Sequence, residues 1–241
     1  MRQTEKMRNR LMDKYKIVDR RLEVAASFGR HGARVADIGT DHASLPIYLV
    51  GNGIAPCALA CDINEGPLRA AKLNIASAGL SDSIGTRLTD GLNGIEDYNP
   101  EDIYVLGMGG ELISRIVLSS EISRKMGVRL ILQPMTHTHD LRRDLFANGF
   151  NIVDETLVKD RDRVYQIIVA EYDRIVRTAT QSELWLGKKN IERGGEDLRT
   201  LASLYAFGLE KKIKGYAEAG KKDDQANELY CELKKLAETV N

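Results

Sequence analysis

The sequence predicts an α/β protein with a mostly parallel sheet, a closing antiparallel hairpin and a C-terminal helical hairpin. Three patterns predict this architecture. Between residues 34 and 150, short apolar runs alternate with amphipathic runs, which is typical of a doubly wound parallel sheet. Residues 150–172 contain two strand-like runs joined by only a few charged residues. From residue 182 onward, leucines recur at helical spacing.

The elements follow in chain order. A first helix is predicted over residues 5–28, where Leu11, Tyr15, Val18 and Leu22 recur at spacings of three and four. Five apolar runs then predict strands at 34–39, 57–63, 84–90, 102–108 and 128–135. Four amphipathic runs predict helices at 44–52, 65–80, 110–120 and 139–150.

The direction of the last two predicted strands distinguishes two related folds. The runs 150–160 and 163–172 are joined by too short a link for a parallel crossover, so they must pair antiparallel. The nicotinamide-binding Rossmann domain continues parallel instead. The fold expected is therefore a Rossmann-like class I methyltransferase sheet, parallel with a C-terminal antiparallel hairpin.

The last third of the chain predicts an all-α antiparallel helical hairpin. Two amphipathic stretches flank a turn at 219–224, where Asp223 or Asp224 could cap the second helix. The chain then divides into a methyltransferase domain with a basic N-terminal helix, a linker and a helical, coiled-coil-like domain. Their boundaries are 1–172, 173–181 and 182–241.

The charges balance overall but are unevenly distributed. The 241 residues carry 35 Lys or Arg and 35 Asp or Glu, which argues against a general nucleic-acid binder. Residues 1–30 nevertheless carry nine basic against four acidic side chains, which fits either a solvated helix face or a phosphate-contacting patch. Because no apolar run reaches about 18 residues, we expect no membrane segment. With no secretory signal and no cysteine motif, the expected location is the cytoplasm.

Polar residues and glycines collect where the predicted strands end, and ligands of open α/β sheets bind at this edge. The candidates for cofactor binding are Asp37, Gly39, Thr40, His42, Asp62, Asn64, Asp90, Gly91, Gly107, Met108 and Gly109. Asp62 could accept hydrogen bonds from both ribose hydroxyls, and Asp90 could receive the adenine amino group. Carboxylates after the first strand would repel a pyrophosphate and attract a sulfonium or an ammonium group. The set therefore predicts S-adenosylmethionine.

Several stretches of the chain occur in the order seen in one known family. They are "VADIGTDHASLPIYL", "DINEGPLRAAKLNI", "DGL", "GMGGELI", "LILQPM" and "VYQIIVAEY". With them the chain resembles the bacterial tRNA (adenine-N1)-methyltransferases that act at tRNA position 22. The resemblance covers about residues 15–172 and continues more loosely into the C-terminal helices. It implies methyl transfer to adenine N1, with tRNA as the partner.

Asp41 is the candidate catalytic residue, because a carboxylate near the target base would stabilise the cationic product. It could instead, or also, cap the helix that begins near residue 43. His42 could orient Asp41 or line the cofactor site. The "GMGG" stretch after the fourth strand lacks the aromatic and amide groups of amino-group methyltransferases, which favours a ring nitrogen as target.

The stretch "HTHD" at 137–140 resembles a metal-ligand pattern. No further ligand is evident except His42, so we expect no metal and a helix cap from Thr138 or Asp140. The predicted RNA-binding residues are Arg8, Arg10, Arg20, Arg21, Arg161 and Arg163. The helical hairpin is either a second RNA contact or an element for stability or protein binding. We expect a monomer.

Two alternatives remain open from the residues alone. A small-molecule methyltransferase would use the same cofactor site without any affinity for tRNA. A catalytically silent relative would bind RNA without turnover. A nicotinamide oxidoreductase is disfavoured, because the glycine signature and the last two strands do not fit it.

Overall fold

The computed structural model describes residues 15–17 and 19–238. Its strands are β1 (Val35–Ile38), β2 (Ala58–Asp62), β3 (Ile84–Leu88), β4 (Asp102–Met108), β5 (Arg129–Pro134), β6 (Phe150–Asp160) and β7 (Arg163–Tyr172). The helices of the described part are α1 (Arg20–Ala26), α2 (Ser44–Gly51), α3 (Glu65–Ser77), α4 (Gly110–Leu118), α5 (Thr138–Ala147), α6 (Gln181–Leu186), α7 (Lys188–Arg193), α8 (Glu196–Glu218) and α9 (Asp224–Glu238).

The strands form one sheet in the order β3-β2-β1-β4-β5-β7-β6. The first five in this order are parallel, and β7 is antiparallel to both β5 and β6. The predicted sheet and its closing hairpin are confirmed. Strand order reverses between β1 and β4, so their carboxyl ends open a crevice, where ligands of such sheets bind.

Both faces of the sheet are covered, which explains why its central parallel strands are mostly apolar. Ala36, Ile38 and Val105 point into one buried cluster with α4 and α5. Their strand neighbours Val35 and Tyr104 point into the other, with α1, α2 and α3. None of the described helices is both long and apolar enough to cross a bilayer.

The prediction of a first helix over residues 5–28 is wrong over part of that range. Residues 15–17 and 19 are not helical, and α1 begins only at Arg20. Asp19 is the N-cap, and its Oδ1 accepts a hydrogen bond of 2.8 Å from the Arg21 backbone N–H. A short acidic side chain at this position favours a helix start over a helix interior. The remainder of the prediction, residues 5–14 and 18, lies outside the described residues.

The C-terminal helices pack on the outer part of the sheet. Leu157 of β6 and Val164 of β7 contact a buried cluster formed by α6, α8 and α9. The predicted helical hairpin is confirmed as α8 and α9, and Asp223 Oδ1 accepts a hydrogen bond of 3.0 Å from the Ala226 N–H. Leu204 is one of the leucines that recur at helical spacing in the sequence, but its side chain is exposed. The three-part domain division stays a prediction.

Candidate active site

A cavity of about 430 Å³ opens at the carboxyl ends of β1, β4 and β5. We call it the strand-end cavity. Six of the predicted cofactor-binding and catalytic residues line it: Asp37, Gly39, Thr40, Asp41, His42 and Gly107. The other lining residues are Asp19, Arg21, Leu22, Ser44, Leu45, Leu106 and Gln133. The cavity therefore collects residues from the β1 loop, α1, α2 and the ends of β4 and β5.

The loop after β1 is held in a conformation that requires glycine. The backbone N–H groups of Gly39 and Thr40 both donate to the Cys61 carbonyl, at 2.9 and 2.8 Å. Gly39 has a φ of 79°, and a Cβ built there would lie 2.1 Å from Met108 Cε. A side chain at position 39 would thus strain the backbone and displace Met108 from the end of β4.

Asp37 is a buried carboxylate with only 7% of its surface exposed. Burial raises its pKa to about 6, the Asp62 carboxylate acts in the same direction, and the Thr40 hydroxyl nearby partly opposes the rise. Thr40 Oγ1 is itself buried, and Asp37 is its one polar neighbour among the described residues. A buried anion with a hydroxyl beside it is suited to a cationic ligand that also carries hydrogen-bonding groups.

Asp41 and His42 lie at the mouth of the strand-end cavity. The Asp41 side chain is 78% exposed, and its Oδ2 lies 3.3 Å from His42 Nε2. The His42 carbonyl accepts a hydrogen bond of 3.0 Å from Asn74 Nδ2, which fixes the loop against α3. The N-cap of α2 is Ala43, without a side-chain cap. The alternative that Asp41 caps this helix is therefore wrong.

The remaining predicted cofactor residues lie at the same sheet edge but outside this cavity. Asp62 Oδ1 accepts a hydrogen bond of 2.8 Å from the Asn64 N–H at the end of β2. Asp90 is exposed after β3, and Gly91 follows it with a φ of 61°. The last two, Met108 and Gly109, complete the end of β4, where Gly109 is the N-cap of α4.

The "HTHD" stretch meets a partner that the sequence did not indicate. His137 Nδ1 lies 3.1 Å from Asp140 Oδ2 and 3.6 Å from Glu111 Oε1, a grouping of three ligand-type side chains. Arg143 also pairs with Asp140. The predicted cap is wrong, because the N-cap of α5 is His137, with a φ of 54° and no side-chain cap. The absence of a metal stays a prediction.

A second cavity of about 660 Å³ lies beside the tip of the β6–β7 hairpin, and we call it the hairpin-tip cavity. Its lining residues are Asp19, Arg21, Asp160, Arg161, Asp162, Arg163 and Tyr165. Three predicted RNA-binding arginines thus meet at one place. Arg20 is exposed on α1. Arg8 and Arg10 lie outside the described residues.

The sheet order, the antiparallel last strand and the acidic crevice between β1 and β4 define a Rossmann-like methyltransferase. A family model described as a methyltransferase domain matches residues 18–168. The tRNA (adenine(22)-N(1))-methyltransferase of Bacillus subtilis is 36% identical over 154 residues. That match spans 64% of this chain and 65% of the Bacillus enzyme, which is slightly less than two thirds of its length.

Two solved structures extend the similarity to the C-terminal helices. A Streptococcus pneumoniae tRNA (m1A22) methyltransferase, called putative and solved with S-adenosyl-L-methionine, is 31% identical with a TM-score of 0.80. It is matched over 92% of this chain and 100% of that one. The Mycoplasma capricolum TrmK in complex with S-adenosyl-homocysteine is 26% identical with a TM-score of 0.71, over 92% and 96% of the two chains. The chain belongs to the methyltransferase-domain family, in the group of the tRNA (adenine(22)-N(1))-methyltransferases.

Proposed function

We propose that the protein transfers a methyl group from S-adenosylmethionine to N1 of adenine 22 in tRNA. The observation that carries this proposal is the strand-end cavity, with its buried Asp37 and the Thr40 hydroxyl beside it. It occupies the β1–β4 crevice of a fold whose relatives are solved with S-adenosyl-L-methionine and S-adenosyl-homocysteine. A cationic adenosyl ligand matches both the charge and the position of this cavity.

The residues at the strand ends suit the separate parts of this cofactor, which supplies an activated methyl group. Asp37 would face its cationic end, and Gly39 would allow close backbone approach. Asp62 would accept from the ribose hydroxyls, and Asp90 from the adenine amino group. The other residues proposed to line the cofactor are Thr40, His42, Asn64, Gly91, Gly107, Met108 and Gly109.

The target nitrogen needs alignment more than activation. The lone pair of adenine N1 forms the new bond to the methyl carbon, while the carbon–sulfur bond breaks and its electron pair stays on sulfur. The positive charge moves from sulfur to the adenine ring. Asp41, exposed at the cavity mouth and paired with His42, is proposed to stabilise that charge. The chain therefore contributes mainly positioning and electrostatics.

Basic side chains at two places support an RNA partner. Arg161 and Arg163 are exposed at the hairpin tip, on the same sheet edge as the strand-end cavity. On the helical hairpin, Lys211, Lys212 and Lys234 lie over the rings of Phe207, Tyr216 and Tyr230, at 4.2, 5.3 and 5.9 Å. Cations combined with aromatic rings are suited to nucleic acid. Since one chain carries both places and the cavity, a cytoplasmic monomer is proposed as the acting form.

Methyl transfer to unmodified tRNA transcripts tests this proposal. We expect label from S-adenosylmethionine to enter a transcript with adenine 22 and not a matched transcript with guanine there. Asp41→Ala should lower turnover about a hundredfold to a thousandfold, as loss of one group that stabilises the developing charge does. Asp173→Asn, at the other end of β7, serves as the control.

Two results would contradict parts of the proposal. Equal labelling of both transcripts would overturn the assigned position but not the RNA substrate. No labelling, with the cofactor still bound, would favour a small-molecule substrate or a silent RNA-binding relative.

A further inference from the structure

Two residues form a wall shared by the two cavities. Asp19 and Arg21 line the strand-end cavity and also the hairpin-tip cavity. The antiparallel register of β5 and β7 places the first residues of β7 beyond the carboxyl end of β5. The hairpin tip, and the cavity beside it, therefore lie at the same edge of the sheet as the strand-end cavity. The hairpin-tip cavity and the strand-end cavity therefore adjoin at Asp19 and Arg21.

Arg21 is held in one orientation by its neighbours. Its Nε donates to Asp19 Oδ1 at 3.1 Å, and its Nη2 pairs with Asp19 Oδ2. Nη1 lies 3.5 Å from Gln133 Oε1, and the guanidinium carbon is 4.7 Å from the centre of the Tyr165 ring. An arginine fixed in this way presents a flat cation beside an aromatic ring. Nucleic-acid bases stack on such groups.

Asp19 Oδ2 keeps an acceptor site for a ligand. Among the hydrogen bonds of the described residues, Oδ1 accepts from the Arg21 backbone N–H and Nε, whereas Oδ2 accepts from Arg21 Nη2 alone and has about two lone-pair sites. The Asp19 side chain is 29% exposed. Burial acts to raise its pKa, but hydrogen bonds from Arg21 and from the Leu22 backbone, together with the charge of Arg21, hold the pKa below its ordinary value. Asp19 is thus an ionised acceptor at neutral pH.

We propose that the target base binds against this shared wall, where Asp19 accepts a hydrogen bond from its exocyclic amino group. The Arg21–Tyr165 pair forms the stacking surface. Adenine presents an amino donor at this edge, whereas guanine presents a carbonyl oxygen that the carboxylate repels. This inference rests on the proposed function and deepens it. Asp41, which lines only the strand-end cavity, keeps the separate role of stabilising the charge.

The decisive experiment removes the amino group from the substrate and the carboxylate from the enzyme. A tRNA carrying purine riboside at the target position is compared with the adenine form, using kcat/KM for wild type and Asp19→Asn. Asparagine keeps the N-cap. We expect wild type to prefer adenine by about tenfold to a hundredfold. The preference should fall below about threefold in Asp19→Asn, because the charged acceptor is gone.

Asp173→Asn is the matched control, since Asp173 forms a similar two-point pair with Arg177 at the opposite sheet edge. It should keep the full preference for adenine. The N1 atom of purine riboside is intrinsically less reactive than that of adenine, but this difference is the same for every enzyme variant. Comparing Asp19→Asn with wild type therefore removes it.

Four outcomes separate the possibilities. Wild type that methylates both substrates equally would overturn the inference and leave the proposed function standing. Asp19→Asn that loses the same factor on both substrates would show a structural role only, which also overturns it. Wild type inactive on adenine 22 would overturn the proposed function and the inference together. A preference for adenine over purine riboside that is lost in Asp19→Asn and kept in Asp173→Asn would support the inference.

Discussion

Asp37 sets a pH dependence at the scale of a single residue. Its pKa is raised from 3.8 to about 6, so the folded state binds more protons than the unfolded state between these values. The contribution of Asp37 to the free energy of unfolding therefore falls as pH rises from about 4 to 6. Above pH 6, the buried ionised carboxylate lowers the free energy of unfolding by about 3 kcal/mol. A bound cation would offset that cost, which ties the burial of Asp37 to ligand binding.

The corresponding prediction concerns cofactor affinity. Protons compete with a cationic ligand for Asp37, so the Kd of S-adenosylmethionine should rise about tenfold between pH 7 and pH 5. Titration calorimetry at several pH values measures this. Asp37→Asn should bind more weakly and lose most of the pH dependence, while Asp173→Asn should keep it. The same slope in Asp37→Asn would assign the pH effect to another group.

Residues close together in sequence were the easiest to place. Asp37, Gly39, Thr40, Asp41 and His42 belong to one strand and its loop, so their spacing alone brought them to one cavity. Asp19 and Tyr165 meet only because α1 packs beside the hairpin tip, across more than a hundred residues of chain. No local pattern contains that contact, and Asp19 looked like a residue of a helix interior.

At the scale of elements, one buried ion pair joins the sheet to the C-terminal helices. Arg142 of α5 donates to Glu155 Oε2 of β6 at 2.7 and 3.0 Å, and to the Leu184 carbonyl of α6 at 2.9 Å. Glu155 Oε1 accepts from the Lys189 N–H of α7 at 3.0 Å. Both side chains are 1% exposed. Their hydrogen bonds are satisfied, so the pair fixes four elements against one another.

Breaking this pair on one side should be costly. Arg142→Met leaves Glu155 buried and unpaired, and we expect a loss of about 3–5 kcal/mol in the free energy of unfolding. Urea denaturation measures it. Arg142→Met combined with Glu155→Leu should recover much of the loss. Arg143 follows Arg142 in the sequence, but its side chain is exposed. Arg143→Met should therefore change the free energy of unfolding by less than about 0.5 kcal/mol. If Arg142→Met and Arg143→Met lowered the free energy of unfolding by similar amounts, the stabilising role of the buried pair would be refuted.

Element types and the sheet hairpin could be predicted because apolar periodicity and link length are local. The helix packing could not. Trp185 stacks on His139 at 4.3 Å and meets Tyr205 edge-on at 5.0 Å, contacts that join α5, α6 and α8. From the sequence, His139 is the first residue of a predicted helix, and nothing near it indicates an aromatic partner far along the chain.

At the scale of the whole molecule, the proposed function gives one RNA two places to bind, the helical hairpin and the hairpin tip. Lys211→Gln combined with Lys234→Gln should weaken tRNA binding and reduce the slope of log K against log salt by about 1–2. Filter binding over a salt series measures both quantities. Cofactor affinity should not change, because these lysines lie on α8 and α9. Lys72→Gln with Lys125→Gln is the control pair, and an equal effect of that pair would indicate non-specific charge.

The buried pair of Arg142 and Glu155 is linked to the long helix α8, because Arg142 also donates to Gln166 Oε1 at 2.8 Å. Gln166 in turn donates to the Tyr205 hydroxyl at 3.0 Å, and α8 extends about 20 Å beyond Tyr205. A tilt of about 10° at this point would carry the far end through about 3–4 Å. That displacement is about one step along a strand of a double helix, about 3.4 Å. Under the proposed function, rigidity at this point would therefore fix, to within about one nucleotide, the distance between the far end of α8 and the strand-end cavity.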